Sequence, residues 1–356
     1  KNFDKKYLDK VKTLSLSPEA IQKEHDLKIV FTPLHGTTYE LVPASLRNWG
    51  FTNIHTVPEQ SIPDGDFPTV ASANPEEPAA FKMALDLARK IDADLAMACD
   101  PDGDRIGIAV KNDAGEWTLL NGNQTNIIFT EYIIRRKKEL NQLKGGEYTV
   151  KTIVTTELIK DIAEKNHIIC YDVYTGFKWI ADVIRKEGGE KFIGGGEESF
   201  GYMPGAFTRD KDGVSATSLM AEIAAWVKMQ NKTLYSFLKE IYAKYGFSQE
   251  RMIYIVRKGL SGAQEIKAMM EEFRHNTPKE INHSPVVLKK DYLSLEATNL
   301  QTGEKTHLNF ETKSDVLQFF LADGSKISVR PSGTEPKIKF YFEGRAQMKD
   351  INDYER

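Results

Sequence analysis

The sequence of 356 residues predicts an α/β protein that ends in a smaller α+β domain. Up to about residue 246, short apolar segments of strand length alternate with longer segments in which apolar residues recur at helical spacing. From residue 248 onward the sequence is richer in strand-like segments and contains one clear helical pattern. We therefore expect three domains, at residues 1–118, 119–246 and 247–356, an ordinary number for this length.

The first domain is predicted from a strand–helix–strand unit. Residues 28–32 form an apolar strand, 39–49 a helix and 53–57 a second strand. A helix at 79–91 and a buried strand at 95–99 follow. The residues after that last strand should lie at the carboxyl edge of a sheet, where open α/β sheets bind their ligands.

The second and third domains follow the same reasoning. The second domain alternates helices with strands, predicted as helices 125–139, 157–165, 177–185, 215–229 and 233–245 and strands 149–154, 168–170 and 191–193. The third has one helix among strands, predicted as helix 263–273 and strands 251–256, 286–295, 316–321, 326–330 and 337–342.

Composition excludes several classes of function. The net charge of −3 provides no basic surface for nucleic acid or anionic lipid, and no apolar segment is long enough to span a membrane. The two cysteines, Cys99 and Cys170, lie in apolar strands and indicate a reduced, cytoplasmic protein. The seven histidines have no metal-ligand spacing, and His35 is expected to serve a structural turn.

The acidic loop, residues 100–105, is the strongest functional feature. Asp100, Asp102 and Asp104 crowd three carboxylates into five residues after a strand, which suits a hard cation such as Mg²⁺ or Mn²⁺, and Arg105 adds a group that binds phosphate. A plain acidic turn is the alternative. An EF-hand is excluded because Arg105 and Lys111 stand where that motif needs Gly and Glu.

Two further loops favour a phosphorylated sugar. In residues 194–201, three glycines follow a strand and are expected to turn sharply, and Glu197 and Ser199 should face the same way toward vicinal hydroxyls. The arginine loop, residues 330–336, has the composition of an anion site. A glycine-rich turn and a polar hairpin turn are the respective structural alternatives.

Two weaker candidates carry lysines. Residues 175–178 begin a helix and could receive a phosphate at its N-terminus and at Lys178, although a simple threonine cap explains them as well. The lysine loop, residues 209–213, is a charged turn that contains Lys211.

Taken together, these loops resemble the α-D-phosphohexomutase superfamily. The family's metal loop is similar to residues 100–105, Asp-Pro-Asp-Gly-Asp-Arg, and its sugar loop to residues 196–201, Gly-Glu-Glu-Ser-Phe-Gly. Its phosphate loop is similar to residues 330–336, Arg-Pro-Ser-Gly-Thr-Glu-Pro. The three loops occur in the same order as in the family. Segments 33–36, 74–78 and 175–178 are also similar to family sequence, so the resemblance spans nearly the whole chain. The Glu-Glu-Ser-Phe-Gly form of the sugar loop resembles that of phosphoglucomutases. Residues 210–213 resemble the branch of the family that includes phosphopentomutase-type members.

The resemblance implies two consecutive mixed α/β/α sandwich domains, then a smaller α+β domain. It also implies conversion of glucose 1-phosphate to glucose 6-phosphate through a phosphoserine enzyme and glucose 1,6-bisphosphate, with Mg²⁺. The implied roles are metal binding by Asp100, Asp102 and Asp104; catalysis by Arg105 and Lys211; sugar binding by Glu197, Ser199, Thr175 and Gly176; and phosphate binding by Arg330, Ser332, Gly333, Thr334, Lys178 and Lys339.

One departure from the family concerns the nucleophile. The family's first domain carries the phosphoserine in a Thr-Ala-Ser-His-Asn-Pro-like loop, and the similar segment here has Ala73 in place of the histidine, so Ser72 is not expected to be the nucleophile. The absence of an initiator methionine agrees with a fragment. We therefore expect domains two to four of a longer phosphoprotein, inactive alone and a monomer or weak homodimer.

Four other functions stay open at this point. Phosphomannomutase and phosphopentomutase differ from phosphoglucomutase only in the sugar that they accept. A phosphatase of the haloacid dehalogenase type would use Asp100 as its nucleophile. A non-catalytic paralogue would bind the sugar phosphate without turnover.

Overall fold

A computed structural model of the chain describes residues 3–257, 259–333, 336–348 and 350–355. Residues Lys1–Tyr245 form one compact unit and Gly246–Arg356 a second. Within the described residues, none of the helices combines the length and the apolar character that crossing a membrane requires.

The first sheet of the N-terminal unit has five strands in the order β2-β1-β3-β4-β5. Their bounds are β1 Ile29–Thr32, β2 Ile54–Thr56, β3 Leu95–Cys99, β4 Ile106–Lys111 and β5 Trp117–Leu120. The first three run parallel, as the strand–helix–strand pattern predicts, whereas β4 and β5 are antiparallel additions that the sequence analysis missed. Since β5 extends to Leu120, the first sheet continues slightly past the expected boundary at residue 118.

Helices cover this sheet and bury its apolar side chains. They are α1 Phe3–Lys12, α2 Pro18–Lys23, α3 Leu41–Trp49 and α4 Lys82–Ile91, with short 3₁₀ segments at Thr37–Tyr39, Pro58–Gln60 and Pro78–Phe81. Val30, Ala96 and Ala109 of three neighbouring strands pack with Phe81 and Ala84 in one core. The small alanines allow α4 to approach the sheet closely.

The second sheet has four strands in the order β7-β6-β8-β9. Their bounds are β6 Tyr148–Thr152, β7 Ile169–Val173, β8 Phe192–Glu197 and β9 Gly201–Met203. Its helices are α5 Gly122–Glu139, α6 Leu158–Lys165, α7 Phe177–Glu187, α8 Gly213–Lys228 and α9 Leu234–Tyr245, with a 3₁₀ turn at Gly189–Lys191.

Helix α8 connects the two halves of the N-terminal unit. It is buried along almost its whole length and contacts α2 and α3 as well as α9. Its one buried carboxylate, Glu222, accepts hydrogen bonds from the Leu16 amide and the hydroxyls of Ser15 and Tyr132. Paired in this way, the buried acid is tolerated in an apolar interface.

The C-terminal unit is the α+β domain that the sequence predicts. Its sheet has the order β10-β17-β16-β15-β12-β13-β14, with β11 paired to β12, and all these pairs are antiparallel. The bounds are β10 Phe247–Val256, α10 Gly259–His275, β11 Glu280–Ile281, β12 Ser284–Asp291, β13 Glu296–Asn299, β14 Lys305–His307, β15 Leu317–Leu321, β16 Lys326–Pro331 and β17 Lys337–Ala346, with a 3₁₀ turn at Ile351–Glu355. Ile266 and Met270 of α10 pack on the sheet's apolar face.

Candidate functional site

The acidic loop follows β3 and brings its three carboxylates together. One oxygen from each of Asp100, Asp102 and Asp104 lies within 4.8 Å of the others. Asp100 Oδ1 accepts hydrogen bonds from the amides of Asp104 at 3.1 Å and Arg105 at 2.9 Å, so the turn is held by its own first residue. Gly103, at φ 77°, supplies the left-handed conformation that the turn requires.

The convergence of these charges is visible in the electrostatics of the loop. The pKa of Asp100 is raised to about 7, mainly by burial and further by the charges of Asp104 and Asp102, while a backbone hydrogen bond from Arg105 and the charge of its side chain oppose the rise. Three clustered carboxylates of this kind gain most from a hard divalent cation. The donor set therefore fits Mg²⁺ or Mn²⁺.

Arg105 lies at the rim of the acidic loop beside three carboxylates, those of Glu76, Asp100 and, at 3.9 Å, Asp104. Its Nη1 lies 3.1 Å from Glu76 Oε1 and its Nε 3.4 Å from Asp100 Oδ2, and about a third of the side chain is exposed. The segment around Glu76 is similar to family sequence, but the sequence alone assigns Glu76 no role. The only available signal was a carboxylate in a proline-bounded loop.

The loop after β1 packs directly against the acidic loop. The Thr37 amide donates to the Pro101 carbonyl at 2.8 Å, and a Cβ on Gly36 would lie 2.2 Å from Pro101 Cα. The His35 ring nitrogens contact the Ile62 carbonyl and the Thr69 hydroxyl, and the residue is buried. This arrangement agrees with the structural role expected for His35.

The glutamate loop, residues 197–201, connects β8 to β9. Glu197 is buried, and its Oε1 accepts a hydrogen bond from the Gly176 amide. The Ser199 hydroxyl lies 3.5 Å from Glu197 Oε2, so the two side chains do point the same way. Asn126 donates to the Glu197 carbonyl at 2.8 Å and fixes the start of the loop.

The three glycines before this loop do not turn, contrary to our expectation. Gly194, Gly195 and Gly196 continue β8, and the chain turns afterwards, where Phe200 has φ 65°. The glycines are needed for close packing. A Cβ on Gly194 would lie 2.3 Å from the Tyr202 hydroxyl oxygen, and one on Gly196 would lie 1.7 Å from Asn126 Oδ1.

Residues 175–178 contribute their backbone to the same place. Gly176, at φ 120°, presents its amide to Glu197, and the Thr175 hydroxyl is buried with no hydrogen-bond partner in the described part of the chain. Lys178 is exposed, and its ammonium lies 5.0 Å from the centroid of the Trp179 ring.

The acidic and glutamate loops are joined, although they follow strands of different sheets. Arg105 and Gly201 form an antiparallel bridge, and the Ile106 amide donates to the Phe200 carbonyl at 3.0 Å. A group bound by the carboxylates of one loop is therefore within reach of the other.

Lys211 lies where these two loops meet. Its Nζ is 2.7 Å from Asp104 Oδ2 and 5.2 Å from the centroid of the Phe177 ring. Burial lowers the pKa of Lys211, but the hydrogen bond and charge of Asp104 and the charges of Asp210 and Glu197 outweigh it, so the pKa is raised. The side chain is therefore a cation that faces carboxylates of both loops.

The arginine loop belongs to the C-terminal unit. Arg330 on β16 is paired in register with Lys339 on β17, so their side chains share one face of the sheet. The Ser332 amide donates to the Lys337 carbonyl at 2.8 Å, and Gly333 is exposed. Thr334, also expected to bind phosphate, lies outside the described residues.

Three models of one family match consecutive parts of the chain. They are phosphoglucomutase/phosphomannomutase alpha/beta/alpha domain II at residues 5–115, alpha/beta/alpha domain III at 121–245 and the C-terminal domain at 266–356. Phosphoglucomutases of Staphylococcus aureus strains N315 and USA300 are each 38% identical over 317 residues, which is 89% of this chain and 56% of the relative. The chain thus spans about half the length of these curated relatives.

Solved structures share the fold at lower identity. The Paramecium phosphoglucomutase pp63/parafusin superposes with a TM-score of 0.67 at 18% identity, covering 98% of this chain and 59% of that one. A phosphoglucomutase/phosphomannomutase family protein from Burkholderia thailandensis has a TM-score of 0.61 at 16% identity, covering 90% and 57%. An Aspergillus fumigatus N-acetylphosphoglucosamine mutase in complex with glucose 1,6-bisphosphate has a TM-score of 0.51 at 14% identity, and the match covers 96% of this chain and 62% of that one.

Proposed function

Since the chain belongs to the phosphoglucomutase/phosphomannomutase family, we propose that it is the sugar-phosphate-binding and metal-binding part of a phosphoglucomutase. The whole enzyme would interconvert glucose 1-phosphate and glucose 6-phosphate through a phosphoserine and glucose 1,6-bisphosphate. The observation that carries the proposal is the junction of the acidic and glutamate loops at Arg105 and Gly201, with Lys211 between them.

Phosphoryl transfer needs positive charge around the group in transit. Asp100, Asp102 and Asp104 would hold Mg²⁺, which supplies charge neutralisation when bound. Arg105 would bind the equatorial oxygens of the transferring group, because its guanidinium already lies at the rim of the carboxylate cluster. Lys211 would donate to the same group or to the sugar oxygen that leaves or attacks.

The sugar must be held in either of two orientations for both of its phosphates to be exchanged. Glu197 and Ser199, with the backbone at Thr175 and Gly176, would bind vicinal hydroxyls that are common to both orientations. Lys178 is exposed and would assist with phosphate. In the C-terminal unit, Arg330, Ser332, Gly333, Thr334 and Lys339 would bind the phosphate that is not transferred.

The phosphoserine is proposed to lie outside these 356 residues. Ser72 is a poor candidate because its hydroxyl donates to Glu77 at 2.9 Å in an exposed loop. Membership of this family also disfavours the phosphatase alternative, which would make Asp100 a nucleophile. We propose that the binding partner is a small-molecule sugar phosphate and that the protein is a cytoplasmic monomer or weak homodimer.

The test is a coupled assay of the full-length gene product with glucose, mannose and ribose 1-phosphates in the presence of Mg²⁺ and glucose 1,6-bisphosphate. The proposal expects the highest kcat/KM with glucose 1-phosphate and acid-stable phosphate on a serine. Preference for mannose or ribose would reassign the substrate. Tight bisphosphate binding without turnover on any of the three would indicate a non-catalytic paralogue and overturn the proposal.

A further inference from the structure

A tyrosine of the first helix contacts the residue that follows Lys211. The Tyr7 hydroxyl, on α1, donates a hydrogen bond of 2.6 Å to Asp212 Oδ1. Asp212 is buried, and the same oxygen accepts from the amides of Val214 and Ser215, so it also caps α8. One carboxylate thus connects α1, the lysine loop and the buried helix.

Helix α1 is a firm support for this contact. Asn48 on α3 donates its side-chain amide to the Leu8 carbonyl at 3.2 Å, and Lys12 donates to the Asn48 carbonyl. The helix is therefore anchored to the half of the unit that carries the acidic loop, while the Tyr7 hydroxyl reaches the lysine loop from the other half. Residues that are 205 positions apart in sequence meet in this way.

The lysine loop is held tightly on its other side. The Gly213 amide donates to the Gly103 carbonyl at 3.0 Å, and a Cβ on Gly213 would lie 2.6 Å from that carbonyl oxygen. Asp212 Oδ2 is buried with no hydrogen-bond partner among the residues that the structure describes. Without the Tyr7 hydroxyl, the Asp212 carboxylate would lose its side-chain donor and keep the two helix amides.

We propose that Tyr7 is a positioning residue for phosphoryl transfer, whose hydroxyl fixes Asp212 and thereby holds Lys211 against Asp104. The proposal rests on the catalytic role that we propose for Lys211. Among the residues that the structure describes, the Tyr7 hydroxyl donates to Asp212 and makes no hydrogen bond to the acidic or glutamate loop. Removing the Tyr7 hydroxyl should therefore have no further effect on kcat once the Lys211 side chain has been replaced, because no ammonium group is left to be positioned.

The first experiment uses Tyr7→Phe in the full-length enzyme. We expect kcat to fall about tenfold, because a misplaced Lys211 would lose one well-formed contact with the transition state. The KM for glucose 1-phosphate should change less than twofold. The matched control is Tyr132→Phe, which removes a buried tyrosine hydroxyl from Glu222 on the same helix α8, at 2.8 Å. It should lower Tm and leave kcat unchanged.

The second experiment is a double-mutant cycle with Lys211→Met. Tyr7→Phe should cause no further loss of kcat in the Lys211→Met background. A purely structural role would instead give the same fold-loss in both backgrounds, or a loss of Tm with unchanged kcat, and either result overturns the proposal.

A third measurement does not depend on activity. Acylation of Lys211 by an N-hydroxysuccinimide ester, followed by peptide mass spectrometry, should be faster in Tyr7→Phe than in the unmodified protein or in Tyr132→Phe. Unchanged acylation of Lys211 overturns the inference even if the full-length protein has no mutase activity. Mutase inactivity of the unmodified protein, by contrast, contradicts the proposed function.

Discussion

The ammonium nitrogen of Lys211 lies 2.7 Å from Oδ2 of Asp104. Asp104 follows β3 of the first sheet and Lys211 follows β9 of the second, so the pair joins loops from two separate sheets. The contact places a cation beside the carboxylate cluster, at the point where the glutamate loop also arrives. It therefore motivates the most direct test of the site.

Replacing Lys211 by Met should lower kcat of the full-length enzyme by about a hundredfold or more, the usual effect of removing one preorganised charge donor. Lys160→Met is a suitable control, because that lysine is exposed and makes only a loose ion pair of 3.8 Å with Glu164. Steady-state kinetics with glucose 1-phosphate measure the effect. Activity within twofold of the unmodified enzyme would remove Lys211 from the mechanism.

Replacing Asp102 by Asn should weaken Mg²⁺ binding without destabilising the fold. Asp102 is the most exposed of the three aspartates, and its removal relieves repulsion within the cluster, so Tm without metal should stay the same or rise. The Mg²⁺ concentration needed for a given rise in Tm should increase by about tenfold or more.

Thermal unfolding over a Mg²⁺ titration measures this change. The control is Glu116→Gln, which also removes one negative charge but at an exposed residue outside the cluster. It should respond to Mg²⁺ like the unmodified protein. If Mg²⁺ stabilises Asp102→Asn and the unmodified protein equally, the acidic loop is not the metal site.

Replacing Gly196 by Ala should damage both stability and sugar binding. The added methyl group would lie 1.7 Å from Asn126 Oδ1 and would displace the side chain that holds the Glu197 carbonyl. We expect a loss of about 1 to 3 kcal/mol in the free energy of unfolding, the typical cost of overpacking, and a higher KM for the sugar phosphate. Gly65→Ala is the control, because a Cβ there meets nothing within 4 Å; equal behaviour of the two variants would contradict the packing role.

Replacing Glu147 by Gln should destabilise the protein in a pH-dependent way. Burial raises the pKa of Glu147, but hydrogen bonds from the backbone amides of Lys144, Glu147 itself and Gly145 outweigh it, and the pKa is lowered. A carboxyl with a lowered pKa stabilises the fold above its unfolded pKa, about 4.3, and this stabilisation is lost as the pH falls through the folded value.

The Gln variant should therefore lose about 1 to 2 kcal/mol at pH 7, and the difference from the unmodified protein should shrink as the pH falls below about 4. Unfolding measured from pH 7 down to pH 3.5 would detect this trend, with exposed Glu164→Gln as the control. A difference that is constant with pH would show that the charge of Glu147 plays no part.

Local features of the sequence were sufficient to predict the α/β class and most helices and strands. Strand and helix periodicities are short-range properties, which is why the segments around β1, α4 and α8 were predicted close to their observed bounds. Strand β4 was missed because its apolar residues continue directly from the acidic loop, and β5 because it is only four residues long and follows a polar turn. The role of Gly194–Gly196 was misread, because sequence does not reveal whether a glycine turns or packs.

The sequence by itself determined which chemical groups are available: three carboxylates, an arginine, a glutamate with a neighbouring hydroxyl, and a lysine, each in a short loop next to a strand. Only the tertiary structure decided that Arg105 meets Gly201, that Lys211 meets Asp104 and that Tyr7 meets Asp212. The reason is physical. Each of these contacts joins residues about 95 or more positions apart, and such proximity arises from the packing of two sheets around α8, which no local pattern encodes.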